Sequence, residues 1–287
     1  MKKMKKRLEK IKPLIYITII YILVQGIGIY ISYTGPAEIF EKPTTPDGNP
    51  GIIQSIKQNQ TTAAVQNGQE ITSVIPIFAY IIVVTALLLV LIKYRLGKII
   101  PLIVYLGLFG GLLFTLSGLF GQTLGAIATI IFFAYAIWKR NNMQVTNIML
   151  IFAIPWIGSW LGASLSFWPA LILLVGLAIY DLIAVFGTKH MVTLAEEAKG
   201  KIPLMVGVPA GERMMGLGTG DLAIPLMFTI SVLADTNLTT AITTSLGGLL
   251  GLTLLFAYIL NKKDVVLPAL PPLAAGLILG YLVGIII

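Results

Sequence analysis

The chain contains no cysteine and a single histidine, His190. Without cysteine there is no disulfide, no thiolate nucleophile and no cysteine metal site. One histidine leaves no imidazole cluster to hold a metal. Charge is also scarce: charged residues make up 11% of the 287 residues, against about 25% in an average soluble domain. Only 12 residues are acidic. Apolar residues fill the space, at 57% of the chain with a mean hydropathy of +0.92. Such a chain has little polar surface to offer water, so most of its length belongs in a lipid bilayer. The net charge of +8 does not point to nucleic acid. The basic residues flank the apolar segments, where they act as topology signals.

A helix needs about 20 apolar residues to cross a bilayer. Nine segments qualify, at about 14–33, 75–92, 99–118, 122–138, 145–163, 166–187, 216–234, 238–260 and 265–287. The expected fold class is therefore an all-α polytopic membrane protein with nine transmembrane helices. Residues 1–287 read as a single domain, with a basic tail at 1–13 and loops at 35–74 and 188–215. If the chain crosses nine times, 18 of its 20 basic residues fall on the side of the tail, and only Lys42 and Lys57 fall opposite. The positive-inside rule then puts the N-terminus and the 188–215 loop in the cytoplasm, with the 35–74 loop and the C-terminus external. The apolar run of the first span exceeds the roughly 7–15 residues of a signal-peptide core, so it is read as a retained helix.

Two acidic residues lie well inside these spans: Asp181, in Gly176-Leu-Ala-Ile-Tyr180-Asp181, and Asp221, in Gly218-Thr219-Gly220-Asp221. A carboxylate at membrane depth costs about 2.5–3.5 kcal/mol on insertion scales, so it marks a functional site. Asp181 precedes Lys189 by eight residues and Asp221 follows Arg213 by eight. Counted along a helix, both lie about 12 Å in from the cytoplasmic charges. Gly218 and Gly220 let backbones approach closely beside Asp221. Tyr180 is placed to cover the pair or to hydrogen-bond near it. Pro268, Pro271 and Pro272 break the start of the last span near the same depth. Two carboxylates in a low dielectric do not both ionise cheaply and hold one proton between them. One is then a base and the other an acid, which is the equipment for activating water on a carbonyl with no metal and no cofactor.

Tyr180-Asp181, Gly218-Thr219-Gly220-Asp221 and Pro268-Ala269-Leu270 resemble the Y-D, G-x-G-D and P-A-L motifs of presenilins and signal peptide peptidases, the nine-span intramembrane aspartyl proteases. The motifs fall in the expected order, in the sixth, seventh and ninth spans. The resemblance implies that Asp181 and Asp221 form a catalytic dyad. It implies that Tyr180, Gly218, Thr219, Gly220 and Pro268–Leu270 shape the active site and hold substrate. It also implies an intramembrane aspartic endopeptidase acting on transmembrane helices in the lipid bilayer. A cytoplasmic N-terminus matches the presenilin-like orientation and favours substrates with an external N-terminus. The chain is shorter than presenilins and lacks their long loop between the sixth and seventh spans. It looks like a compact prokaryotic, archaeal homologue in the cell membrane, acting without obligate partner subunits. Thr219 stands where leucine is frequent, and Gly216-Leu217-Gly218 comes two residues early, which bears on cleavage preference.

Other features carry less chemistry. The run Ile202–Pro209 is apolar, strand-like and bounded by prolines, and it suits pairing with an unwound substrate as an added strand. Gly276, Gly280 and Gly284 form a small-residue face for helix packing. Trp138 and Trp168 read as interfacial anchors. Asp235 and Asp264 sit at span ends and are expected to be solvated. The rival reading from another class is a proton- or cation-coupled transporter with the aspartate pair as its ion site and the broken ninth span as a discontinuous helix. No internal repeat supports it.

Overall fold

The computed structural model describes residues 2–34, 99–188, 205–210, 213–259 and 267–287. Within them the order is α1 (Lys2–Thr34), α2 (Ile99–Phe120), α3 (Gln122–Trp138), α4 (Met143–Ser164), α5 (Phe167–Ile183), β1 (Met205–Ala210), β2 (Arg213–Gly218), α6 (Gly220–Asp235), α7 (Leu238–Ile259) and α8 (Leu270–Ile286). A π-helical turn, Ala184–Thr188, continues α5. Among the described residues, five helices are long and apolar enough to cross a membrane: Lys12–Thr34, Pro101–Phe120, Met143–Ser164, Phe167–Phe186 and Leu238–Ile259. Gln122–Trp138 and Leu270–Ile286 are apolar but shorter. The protein is a mostly helical membrane protein. The expected span at 75–92, the 35–74 loop, His190 and Asp264 lie outside the described residues.

Three boundaries differ from expectation. The chain is not purely helical, because β1 and β2 pair antiparallel from Met205↔Gly218 to Ala210↔Arg213. The seventh span does not start at 216: residues 216–218 belong to β2, and α6 starts at Gly220. Their apolarity serves a strand whose Leu217 is buried, which hydropathy alone does not separate from a helix end. The ninth span begins at Leu270, not 265, with Pro271 and Pro272 inside its first turn. Prolines fit there because first-turn amides have no intrahelical acceptor to lose.

α6 is the centre of the bundle. Leu222 and every residue from Pro225 to Leu233 are buried, and α1, α4, α5, α7 and α8 all pack on it. A helix apolar on every side belongs inside such a ring. From α1, Ile17, Tyr21 and Val24 join Leu222, Leu226 and Ile230 of α6 and Leu252 and Phe256 of α7 in one cluster. Large apolar side chains on the outer faces stay exposed, such as Leu106 on α2, Ile130 on α3 and Leu254 on α7. That is the surface a lipid-facing helix presents. Several buried hydroxyls find carbonyl acceptors within the protein: Ser231 Oγ donates to Leu165 O at 3.0 Å, and Thr240 Oγ1 to Gly284 O at 3.1 Å. Lipid offers no alternative acceptor.

Short connections are set by single residues. Gly121 joins α2 to α3 with φ 83, in the left-handed region that glycine adopts without cost. Asn142 caps α4, its Oδ1 accepting from Gln144 N at 2.9 Å. Asp235 is exposed, as expected, and also accepts from Phe167 N at 2.5 Å, joining the end of α6 to the start of α5. Phe167 in turn stacks on Tyr281 of α8, with centroids 4.4 Å apart.

α7 and α8 make the most extensive helix contact. The expected glycine face of α8 lies in it. A Cβ on Gly276 would overlap the carbonyl oxygen of Gly247, and one on Gly280 would overlap that of Thr243. Reciprocally, a Cβ on Gly247 would overlap Gly276 O and one on Gly251 would overlap Pro272 O. Backbone therefore rests on backbone along this seam, the usual source of helix affinity in lipid. Gly276→Val should lower unfolding stability in detergent by about 1–3 kcal/mol or more through overpacking. Leu279→Ala, on the exposed face of the same helix, should stay within about 0.5 kcal/mol. Thermal unfolding of the two variants checks the contrast.

Candidate active site

Asp181 sits in the last turn of α5, before the π-helical turn. Its acceptors are served by the start of α8. Leu270 N–H donates to Asp181 Oδ2 at 3.2 Å, and the Ala269 N–H also bonds to it. The sequence explains why these two amides are the donors. Between 268 and 272, only Ala269 and Leu270 are not proline, so only they carry an N–H. Both are at the N-terminus of α8, with Ala269 as its cap. Such a terminus presents free amides and the positive end of the helix dipole, and a carboxylate is well placed against it. Pro268 is buried beside them.

Asp221 is the second residue of α6. Its Oδ2 accepts from Gly218 N–H at 3.2 Å. Asp181 is close enough for its charge to act on Asp221. The carboxylates thus come from two helices and are held by amides of two further segments, the end of β2 and the start of α8. The expected depth of Asp221 needs correction. The eight residues after Arg213 do not rise along a helix, because the first five of them are β-strand. The hairpin, not a helical ladder, delivers Asp221.

The hairpin is fixed from below and from the side. Val206 and Val208 share one face of β1, and Leu217 of β2 pairs with Val206. All three are buried in the cluster that includes Ile17, Tyr21 and Val24 of α1. From the side, Asn147 of α4 grips Gly207 twice: its Nδ2 donates to Gly207 O at 2.6 Å, and its Oδ1 accepts from Gly207 N at 3.0 Å. Asn147 was missed in the sequence, although an amide side chain inside an apolar span is itself a polar signal.

The remaining expected site residues take different positions. Thr219 caps α6 through its backbone oxygen, which accepts from Ala223 N at 3.0 Å, while its hydroxyl makes no cap bond. Gly220 is exposed, and a Cβ on it would meet only Ile224 Cδ1, at 3.9 Å, among the described residues. Gly218 is tighter, since a Cβ there would lie 3.0 Å from Asp221 Oδ2. Tyr180 is 50% exposed. Among the described residues no hydrogen bond joins it to either carboxylate. No cluster of three metal-ligating side chains occurs among the described residues.

A family profile described as signal-peptide peptidase, presenilin aspartyl protease matches residues 51–214. The matched stretch includes Asp181 and ends before Asp221. The chain is also similar to a solved presenilin family intramembrane aspartate protease in a C222 crystal form, with 24% identity and a TM-score of 0.66. That likeness covers 96% of this chain and 99% of the other. A second structure so described, in a P2 form, is 25% identical with a TM-score of 0.62, covering 94% and 96%. No curated protein sequence matches the chain.

The two motif glycines should behave differently on substitution. Gly218→Ala presses a methyl group against the Asp221 carboxylate and should cost about 1–3 kcal/mol. Gly220→Ala meets open space in a helical first turn and should be neutral or stabilise by up to about 1 kcal/mol. Equal loss of thermal stability in both variants would contradict this account of the site.

Proposed function

The chain belongs to the signal-peptide peptidase and presenilin aspartyl protease family, and on that premise we propose that it hydrolyses peptide bonds inside transmembrane segments with Asp181 and Asp221 as a water-activating dyad. It is an aspartic endopeptidase of the intramembrane-cleaving kind. What supports the dyad reading is that each carboxylate is held by backbone amides from a separate segment, with Asp221 within range of the Asp181 charge. The transporter alternative is not favoured, since the family and the structural neighbours are proteases.

The chemistry follows from one proton shared between two carboxyl groups. The ionised group takes a proton from water as the water oxygen attacks the scissile carbonyl carbon. The protonated group donates to the carbonyl oxygen. As the gem-diol collapses and the C–N bond breaks, the group that took the water's proton gives it to the leaving nitrogen, and the other group takes a proton back from a gem-diol hydroxyl. A new carboxylic acid and a new amine result, and the pair returns to its starting state. General acid and general base steps of this kind each contribute about 10²–10⁴ in rate. No cofactor takes part. Tyr180, Thr219, Gly220 and the Pro268–Leu270 segment line the approach to the dyad.

The proposed setting is a nine-span chain with a cytoplasmic N-terminus and an external C-terminus in a prokaryotic, archaeal cell membrane, working without obligate partner subunits. The substrate is a transmembrane helix that reaches the site sideways and unwinds locally, because a helical peptide bond is shielded by its own turns. The β1–β2 hairpin supports this reading. Asn147 occupies the outer edge of β1 at Gly207, so the outer edge of β2 is where an unwound segment can add as a third strand.

Two outcomes test the proposal. Asp181→Asn and Asp221→Asn should each reduce cleavage of a reconstituted single-span substrate by at least about 10³-fold. The parent enzyme's product masses should place its cuts within the span. Full activity in either variant would remove that residue from the dyad. Placing Gly beside the cut should speed cleavage by about fivefold, the equivalent of the ~1 kcal/mol that Gly costs a helix. Equal rates for rigid and loosened substrates would argue against an unwinding step.

A further inference from the structure

The connection between α3 and α4 carries a feature unrelated to the aspartates. A shallow, open depression lies there, lined by Trp138, Lys139, Asn141, Asn142 and Met143. Trp138, the last residue of α3, is 74% exposed. Lys139 Nζ lies over its ring, 4.7 Å from the centroid. Arg140 follows at once and is exposed. The turn itself is well defined, with Lys139 N bonded to Tyr135 O at 2.9 Å and Asn142 N to Lys139 O at 2.8 Å. The depression includes Asn142, the cap at the N-terminus of α4, which is the positive end of a 22-residue helix.

Charge balance in this region is one-sided. No Asp or Glu occurs between Glu70 and Asp181, so α2, α3 and α4 contain no carboxylate at all. The two cations of the turn therefore have no anionic partner on their own helices. They sit at the ends of two apolar helices, beside an exposed tryptophan, a residue typical of the headgroup level. An anion supplied by the bilayer fits this arrangement. A tryptophan ring suits the glycerol region, and paired cations suit a phosphate.

We propose that the α3–α4 turn binds the phosphate headgroup of an anionic phospholipid, with Lys139 and Arg140 on the phosphate and Trp138 against the glycerol region. A lipid held there would brace the start of α4, the helix whose Asn147 holds β1. The assignment does not depend on the proteolytic reading.

Trp138 supplies its own probe. The protein is reconstituted in phosphatidylcholine vesicles containing brominated phosphatidylglycerol or brominated phosphatidylcholine. Trp138 emission is isolated by subtracting the Trp138→Phe signal. Phosphatidylglycerol should quench Trp138 at lower mole fraction, with a preference of about fivefold for each cation. Lys139→Gln combined with Arg140→Gln should abolish the preference, Lys139→Arg should keep it, and emission from Trp156, Trp160 and Trp168 should be unchanged in both. Equal quenching by the two lipids would overturn the proposal, as would a preference that persists in the double variant. Saturable binding of soluble glycerol phosphate to lipid-free protein in detergent would assign the site to a free phosphate and equally overturn the lipid reading.

Discussion

A bilayer offers no water to a backbone amide or to a carboxylate, so each must find its partner within the chain. Regular helices meet this demand for their own amides and leave none for a side chain. Carboxylates can therefore be held at membrane depth only where helical bonding stops. The protein interrupts it at two places, and each interruption faces one aspartate. At the start of α8, prolines at 268, 271 and 272 reduce the available donors to Ala269 and Leu270, and both serve Asp181. At the start of α6, the chain arrives as β-strand, and the last strand residue, Gly218, donates to Asp221.

The rest of the architecture keeps those two interruptions in register. α6 is enclosed by five helices, which fixes the height of Asp221. The glycine seam between α7 and α8 brings their backbones into contact and so fixes the position of Leu270. Asp235 and the Phe167–Tyr281 stack join α5, α6 and α8 at the opposite end from the aspartates. α1 and Asn147 of α4 hold the hairpin from two directions. Stiffness at these supports preorganises the carboxylates, and preorganised polar groups need little rearrangement during a reaction.

The sequence disclosed the costly features and concealed the cooperative ones. Asp181 and Asp221 stood out because a buried charge in lipid needs a reason, and the proline cluster stood out because it cannot propagate a helix. The glycine face of α8 was legible from its four-residue spacing. Its counterpart, Gly247 and Gly251 of α7, became meaningful only when the two helices met. The hairpin was half visible: the β1 run was strand-like, whereas Gly216, Leu217 and Gly218 of β2 passed for the apolar start of a helix. Asn147 was missed because its partner lies 60 residues away, and the bond between Phe167 and Asp235, 68 residues apart, was out of reach for the same reason. Local pattern does not encode such pairings.

The account rests on two carboxyl groups sharing the work of acid and base. The most direct test is the pH dependence of kcat/KM for cleavage of a single-span substrate by the reconstituted protein, measured over the range in which unfolding controls find the bundle intact. The account predicts a bell with two ionisations, because activity requires one carboxyl group protonated and the other ionised. A profile that rises through a single ionisation to a plateau would contradict it, since one carboxylate would then suffice.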